Sequence, residues 1–113
     1  MHEYSIVQAL LEQCESHAQE YKATRITRVI LKIGKLSGVE PYLLQSAFDA
    51  FKEGGICREA LLQMELQNLV LHCEACGEDS EQSEICYQCK QCQSTQVRAV
   101  DGEEMFLMRL EME

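Results

Sequence analysis

Residues 73–92 read CEACGEDSEQSEICYQCKQC, five cysteines and five acids with a single lysine and few large apolar side chains. A segment of this composition cannot bury enough surface to offset the entropy of ordering it, so it needs a staple. Its cysteines supply one. Cys73-x2-Cys76 and Cys89-x2-Cys92 are separated by twelve residues. Each C-x2-C turn brings two sulfurs to one side, and two facing turns make a closed tetrahedral site of four sulfurs for structural zinc. Cys86 and Cys89 form an overlapping C-x2-C pair, so Cys86 is a possible alternate ligand; Cys89 and Cys92 are favoured. An iron–sulfur centre is the main competitor for such a ligand set. Structural zinc binds with an apparent free energy on the order of 10–16 kcal/mol, comparable with the whole stability of a small domain.

Outward from this segment the pattern changes. Residues 5–21 place Ile6, Val7, Leu10, Leu11, Cys14, Ala18 and Tyr21 on one helical stripe, and Ser5-x-x-Gln8 has the form of a capping box. That reading starts the helix near Ser5 and leaves His2 and Glu3 ahead of it on a free chain end. Residues 26–35 alternate as a strand, with Val29, Leu31 and Ile33 on its buried face. Pro41 suits the first turn of a second helix, whose expected stripe is Leu43, Leu44, Ala47, Phe48 and Phe51, ending at Gly54-Gly55. Strands follow near Leu61–Leu66, facing Leu62, Met64 and Leu66 inward, and at the end of the chain, facing Phe106, Met108, Leu110 and Met112 inward. The expected fold is α+β: a small sheet of about three strands with two helices packed on it, plus an inserted zinc-ribbon-like module. Residues 1–68 and 103–113 form the α/β domain in this reading, and 69–102 the zinc module.

The bulk properties narrow the function. Net charge is −9, from 10 basic and 19 acidic residues. Such a surface repels polyanions, because nucleic-acid affinity comes largely from Lys and Arg displacing counterions. Residues 73–92 alone carry −4, from Glu74, Glu78, Asp79, Glu81 and Glu84 against Lys90. A nucleic-acid or protein-interaction adaptor of the zinc-ribbon kind is the alternative reading, and a DNA-reading ribbon clusters Lys and Arg where this one clusters acids. No run approaches the roughly 18–20 apolar residues of a membrane span, and Met-His-Glu-Tyr-Ser is no secretory signal. With seven cysteines, an odd number, the expected compartment is the reducing cytoplasm and the expected role of the cluster is metal binding. Cys14 and Cys57 read as small buried hydrophobes. His17 and His72 read as surface residues. No catalytic triad, phosphate-binding glycine loop or paired catalytic carboxylates stand at recognisable spacing, so no enzyme is expected.

One set of residues points to a family. Met1-His2-Glu3-x-Ser5, Ile33-Gly34-x-Leu36-Ser37-x-Val39-Glu40, the two C-x2-C pairs and Gly102-x-Glu104 before a final strand occur in order along the chain. Together they resemble the hydrogenase-maturation nickel metallochaperones called HypA or HybF. The resemblance implies a carrier that takes up Ni(II) as cargo and delivers it for [NiFe] hydrogenase maturation, with a structural zinc site of four cysteines. It implies a square-planar nickel site from the His2 imidazole and the backbone nitrogens of His2 and Glu3, with Glu40 as acidic ligand or neighbour. Nitrogen and oxygen donors in that geometry suit Ni(II). The implied partners are the maturation GTPase HypB and the hydrogenase large subunit, with no nucleic acid and no membrane. Gly77 and Gln93 stand where several family members carry a His, which puts a pH-driven exchange of a zinc thiolate for that His in doubt; His72, directly before Cys73, is the alternate for it.

Overall fold

The apolar stripe near the start of the chain organises everything that follows. In the computed structural model, which describes residues 2–113 and His2 by its backbone alone, that stripe lies on helix α1 (His2–Glu20). After it come strand β1 (Ile26–Gly34), helix α2 (Pro41–Phe51), and strands β2 (Leu61–Gln67), β3 (Leu69–Cys73), β4 (Asp79–Gln82), β5 (Val97–Asp101) and β6 (Met105–Met112). The described residues form two three-stranded sheets, ordered β2-β1-β6 and β4-β3-β5, and the chain divides into two compact units. No described helix is long and apolar enough to cross a membrane.

The first unit comprises residues 2–32, Val39–Glu65 and Phe106–Glu113. Its core is Val7, Leu10, Cys14 and Ala18 from α1, Ile26, Val29, Ile30 and Leu31 from β1, and Leu44, Ala47 and Phe48 from α2. Each larger apolar side chain buried in this way contributes about 1.5–3 kcal/mol. The helix does not begin at Ser5 but three residues earlier, so His2 and Glu3 lie in its first turn rather than ahead of it. Two forces extend it: the Tyr4 ring packs edge-on against Phe51 of α2, with centroids 5.4 Å apart, and an acid in the first turn suits the helix dipole.

Four expected apolar faces are narrower than the sequence pattern indicates. Tyr21, Leu43 and Phe51 are exposed at the margins of their helices. Leu66 of β2 and Phe106 and Met108 of β6 are exposed as well, because both strands are edges and a three-stranded sheet covers only its centre fully. In the central strand the reverse holds. Ile30, on the polar face, is buried; there Arg28 reaches Gln63 at 3.0 Å and Glu111 at 3.5 Å, while Lys32 lies 5.5 Å from the Phe106 ring centre.

The second unit comprises Ile33–Gly38 and Leu66–Met105, so the end of β1 belongs with the cysteine segment. Here the backbone crosses itself closely. A Cβ on Gly34 would overlap the Gly102 carbonyl, and one on Gly102 would stand 2.6 Å from the Asn68 oxygen. Gly102 also has φ of 94°, a left-handed conformation that L side chains avoid. Two elements of the motif quoted above thus have a steric cause. Strand β3 pairs antiparallel with β4 (Leu71 opposite Ser80) and with β5 (His72 opposite Arg98), with a bulge at Val70/Leu71. Leu69, Leu71 and Cys73 share its buried face, and β4 adds Ser80 and Gln82 to that interior.

Candidate metal centre

Two backbone turns of the same design present the four sulfurs. In the first, which follows β3, Gly77 N–H donates to Cys73 O at 2.9 Å, Cys73 N–H donates to Glu78 O at 3.0 Å, and Cys76 N–H points at Cys73 Sγ at 3.4 Å. In the second, Gln93 N–H donates to Cys89 O at 2.9 Å and Cys89 N–H to Ser94 O at 2.9 Å. There Gln91 and Cys92 N–H point at Cys89 Sγ at 3.3 and 3.5 Å. Gly77 and Gln93 occupy the same place in the two turns and both have positive φ, 78° and 63°.

The turns face each other. Cys73 Sγ lies 3.5 Å from Cys92 Sγ and Cys76 Sγ 3.7 Å from Cys89 Sγ, and all four sulfurs fall within 4.8 Å of one another. A tetrahedral zinc with Zn–S of about 2.3 Å sets its sulfurs about 3.8 Å apart. The cluster is of the size that ion requires. Four protein ligands leave no open coordination position, which is the mark of a structural site rather than a catalytic one.

The thiols are also prepared for a cation. The backbone N–H groups of Cys92 and Gln91 pull Cys89 down to about 6, against the effect of burial. The Cys76 and Ala75 N–H groups likewise lower Cys73. On Cys76 the Glu78 N–H acts downward, but burial and the neighbouring sulfurs of Cys73, Cys89 and Cys92 carry it up to about 12. Cys92, similarly, is raised by Cys73 and burial against the pull of the Ser94 N–H. The lowered thiols, Cys73 and Cys89, each stand beside a raised one, Cys92 and Cys76. Zinc binds thiolates, so its binding releases the protons that the thiols carry and weakens as pH falls.

Cys86 is exposed, and its sulfur is not among the four. The Gln82 side chain, buried and bonded to Ser80 Oγ at 3.1 Å, donates to Gln88 O at 3.1 Å and holds the chain just ahead of Cys89. Replacing Cys86 with Ala is expected to leave about one zinc per chain, whereas Cys89→Ala removes it. Metal analysis of both variants decides the second pair, and the reverse result would assign it to Cys86 and Cys89.

Two further side-chain pairs support the module; neither pairing was foreseen in the sequence, where His72 read as a surface residue. Asp79 Oδ1 sits 2.7 Å from His72 Nδ1 across the β3–β4 ladder, and Arg98 Nε donates to Glu74 at 2.8 Å. The signal for the first pair was available: His72 and Asp79 flank the first turn symmetrically, as an antiparallel register demands. Gln82 had no such signal, since nothing in a polar tetrapeptide marks which side chain turns inward.

The residues proposed for nickel lie in the first unit. Glu40 is the N-cap of α2, in extended conformation, and its side chain makes no capping hydrogen bond. Its backbone N–H donates to the Glu3 carboxylate at 3.4 Å, which brings two of the three residues together from the starts of two helices. The side chain of His2 lies outside the described residues.

Comparison with known proteins agrees along the whole chain. The profile of the family described as "Hydrogenase/urease nickel incorporation, metallochaperone, hypA" matches residues 1–112. The hydrogenase maturation factor HypA of Shewanella baltica strain OS195 is 57% identical over 113 residues, covering 100% of this chain and 97% of that protein. That of Aquifex aeolicus is 46% identical, covering 100% and 98%. The solution structure of the Ni metallochaperone HypA from Helicobacter pylori superimposes with a TM-score of 0.71 at 35% identity, over 97% of this chain and 96% of that one. A second HypA solution structure gives a TM-score of 0.78 at 36% identity, over 100% and 97%. With its facing cysteine turns and full-length matches, this chain belongs to the HypA family of nickel metallochaperones for hydrogenase maturation, proteins that carry a metal rather than catalyse a reaction.

Proposed function

We propose that this chain binds Ni(II) at the start of α1 and hands it on for assembly of a [NiFe] hydrogenase, while Cys73, Cys76, Cys89 and Cys92 hold a structural zinc. The His2 imidazole and the backbone nitrogens of His2 and Glu3 form the nickel site, with the Glu40 carboxylate as ligand or neighbour. The observation that carries this reading is the contact of the Glu40 backbone N–H with the Glu3 carboxylate, which brings the start of α2 against the first turn of α1. The helical start of residues 2 and 3 is compatible with it. The first four N–H groups of a helix have no intrahelical acceptor, so recruiting two of them to a metal breaks no helical bond they donate. HypB and the hydrogenase large subunit are the partners in this reading, and neither nucleic acid nor membrane takes part. Its place is the cytoplasm, where a reducing medium keeps the zinc thiolates from forming disulfides.

Nickel affinity is expected to rise as pH increases through about 6.5, because only the neutral imidazole ligates, and protons are to be released on binding. Calorimetric titration of the zinc-loaded protein in buffers of different ionisation enthalpy measures both. Affinity independent of pH from about 5.5 to 7.5 removes the imidazole from the site.

A further inference from the structure

The two cysteine turns are alike in their backbone hydrogen bonds and unlike in what holds them. The first sits between paired strands: Cys73 ends β3, Asp79 begins β4, and His72 stands opposite Asp79. The second has a strand on one side only. Residues 83–96, which contain it, include neither helix nor strand, and β5 begins at Val97. Every residue from Ser83 to Gln88 is exposed, so little packing of that stretch carries Cys89 to its place.

One side chain does so. Gln82 is the last residue of β4, stands opposite Leu69 and is 5% exposed. Its Nε2 carries two hydrogens, and both are committed: one to Ser80 Oγ at 3.1 Å, the other to Gln88 O at 3.1 Å. The first bond fixes the amide against its own strand, and the second fixes the carbonyl directly ahead of Cys89. Gln88 passes the constraint on, since its own Nε2 donates to Gln93 O at 2.9 Å and spans the second turn. Neither bond of Gln82 is to a sulfur, so it acts through the backbone that presents Cys89 and Cys92.

We propose that Gln82 is a positioning residue of the zinc site, and that the second turn, which it anchors, is the side from which the ion is lost. Four sulfurs bind one ion tightly only if ordering their turns costs little at the moment of binding. Strands β3 and β4 order the first turn through their own ladder, while the second depends on two amide side chains. Removing the Gln82 donor leaves all four ligands in the chain and increases the entropy lost when they close on the ion. Groups that orient ligands in this way change metal affinity roughly 10–100-fold. The proposal rests on zinc at the four cysteines, and the zinc content of the purified unmutated chain tests that assignment by itself.

The test uses the full zinc-loaded chain and Gln82→Met, which fills nearly the same space without a donor. Competition with a chromophoric chelator is expected to show zinc held roughly 10–100-fold less tightly in Gln82→Met. The loss is to be much smaller in Ser80→Ala, where the bond to Gln88 O remains. With Co(II) in place of zinc, saturated Gln82→Met and the unmutated chain are to give the same sulfur-to-metal charge-transfer spectrum, because all four ligands are retained. The order in which thiols react separates positioning from general support. Cys76 and Cys92 are the exposed members of their turns, and trypsin releases Cys92 on a peptide of its own, since Lys90 and Arg98 flank it. In a short pulse of iodoacetamide on the zinc-loaded unmutated chain, Cys92 is expected to be alkylated ahead of Cys76, and the lead is to widen in Gln82→Met. The measurement on the unmutated chain stands even if a variant folds poorly. The proposal is overturned if Gln82→Met binds zinc as tightly as the unmutated chain, if its Co(II) spectrum shows fewer sulfurs, or if Cys76 is alkylated with or ahead of Cys92.

Discussion

Cys76→Ser is expected to empty the metal centre and to disorder residues 73–92 while the first unit stays folded. The serine hydroxyl is a poor ligand for zinc, and a three-sulfur site forfeits much of a binding free energy on the order of 10–16 kcal/mol. Little else holds this segment: Glu74, Ala75, Gly77, Glu78 and Asp79 are exposed, and so is every residue from Ser83 to Gln88. Its interior near the sulfurs consists of Cys73, Cys89, Ser80 and Gln82. The first unit buries its own core of Val7, Leu10, Val29, Leu31, Leu44 and Phe48, with no metal in it. Zinc content should fall from about one per chain to nearly none after mild chelation. Amide signals of 73–92 should collapse to random-coil positions while those of α1 and α2 persist. A variant that keeps its full zinc would transfer the site to other ligands. Visible charge-transfer bands in the unmutated protein would replace zinc by an iron–sulfur centre.

His2→Ala is expected to abolish specific nickel binding and to leave zinc in place. Changing a residue that merely orients a ligand costs roughly 10–100-fold in metal affinity, and loss of the only imidazole proposed for the site should exceed that. Glu40→Gln is expected to have a smaller effect, because a carboxylate beside a chelated cation contributes charge that an amide partly replaces as a donor atom. Glu40 is exposed at the N-cap of α2, and thermal melts of both variants should coincide with that of the unmutated chain. Equal Ni(II) affinity in His2→Ala would remove the site from the start of α1. Nickel that disappeared instead with Cys76→Ser would place it on the cysteine module.

The helix and strand elements of the first unit were legible in the chain because their apolar residues recur at helical or strand period. Val7, Leu10, Cys14 and Ala18 face inward as their spacing requires, and Pro41 opens α2 as its missing N–H allows. The second sheet was not legible. Strand β4 is Asp-Ser-Glu-Gln, four residues with no apolar member, and its inward face exists only because β3 pairs with it and Gln82 finds acceptors there.

By itself, then, the sequence determined the α+β class, the segment that requires a metal and the pairs of cysteines able to supply it, since these follow from local periodicity and spacing. Tertiary structure decided what depends on neighbours distant in the chain. It placed the four sulfurs within reach of one ion and left Cys86 outside. It drew α1 back to His2 through the Tyr4–Phe51 contact, and it exposed the outer faces of β2 and β6 because both are edges. The physical reason is common to all of these: spacing along a chain fixes which side a residue faces, but only packing determines what, if anything, covers that side.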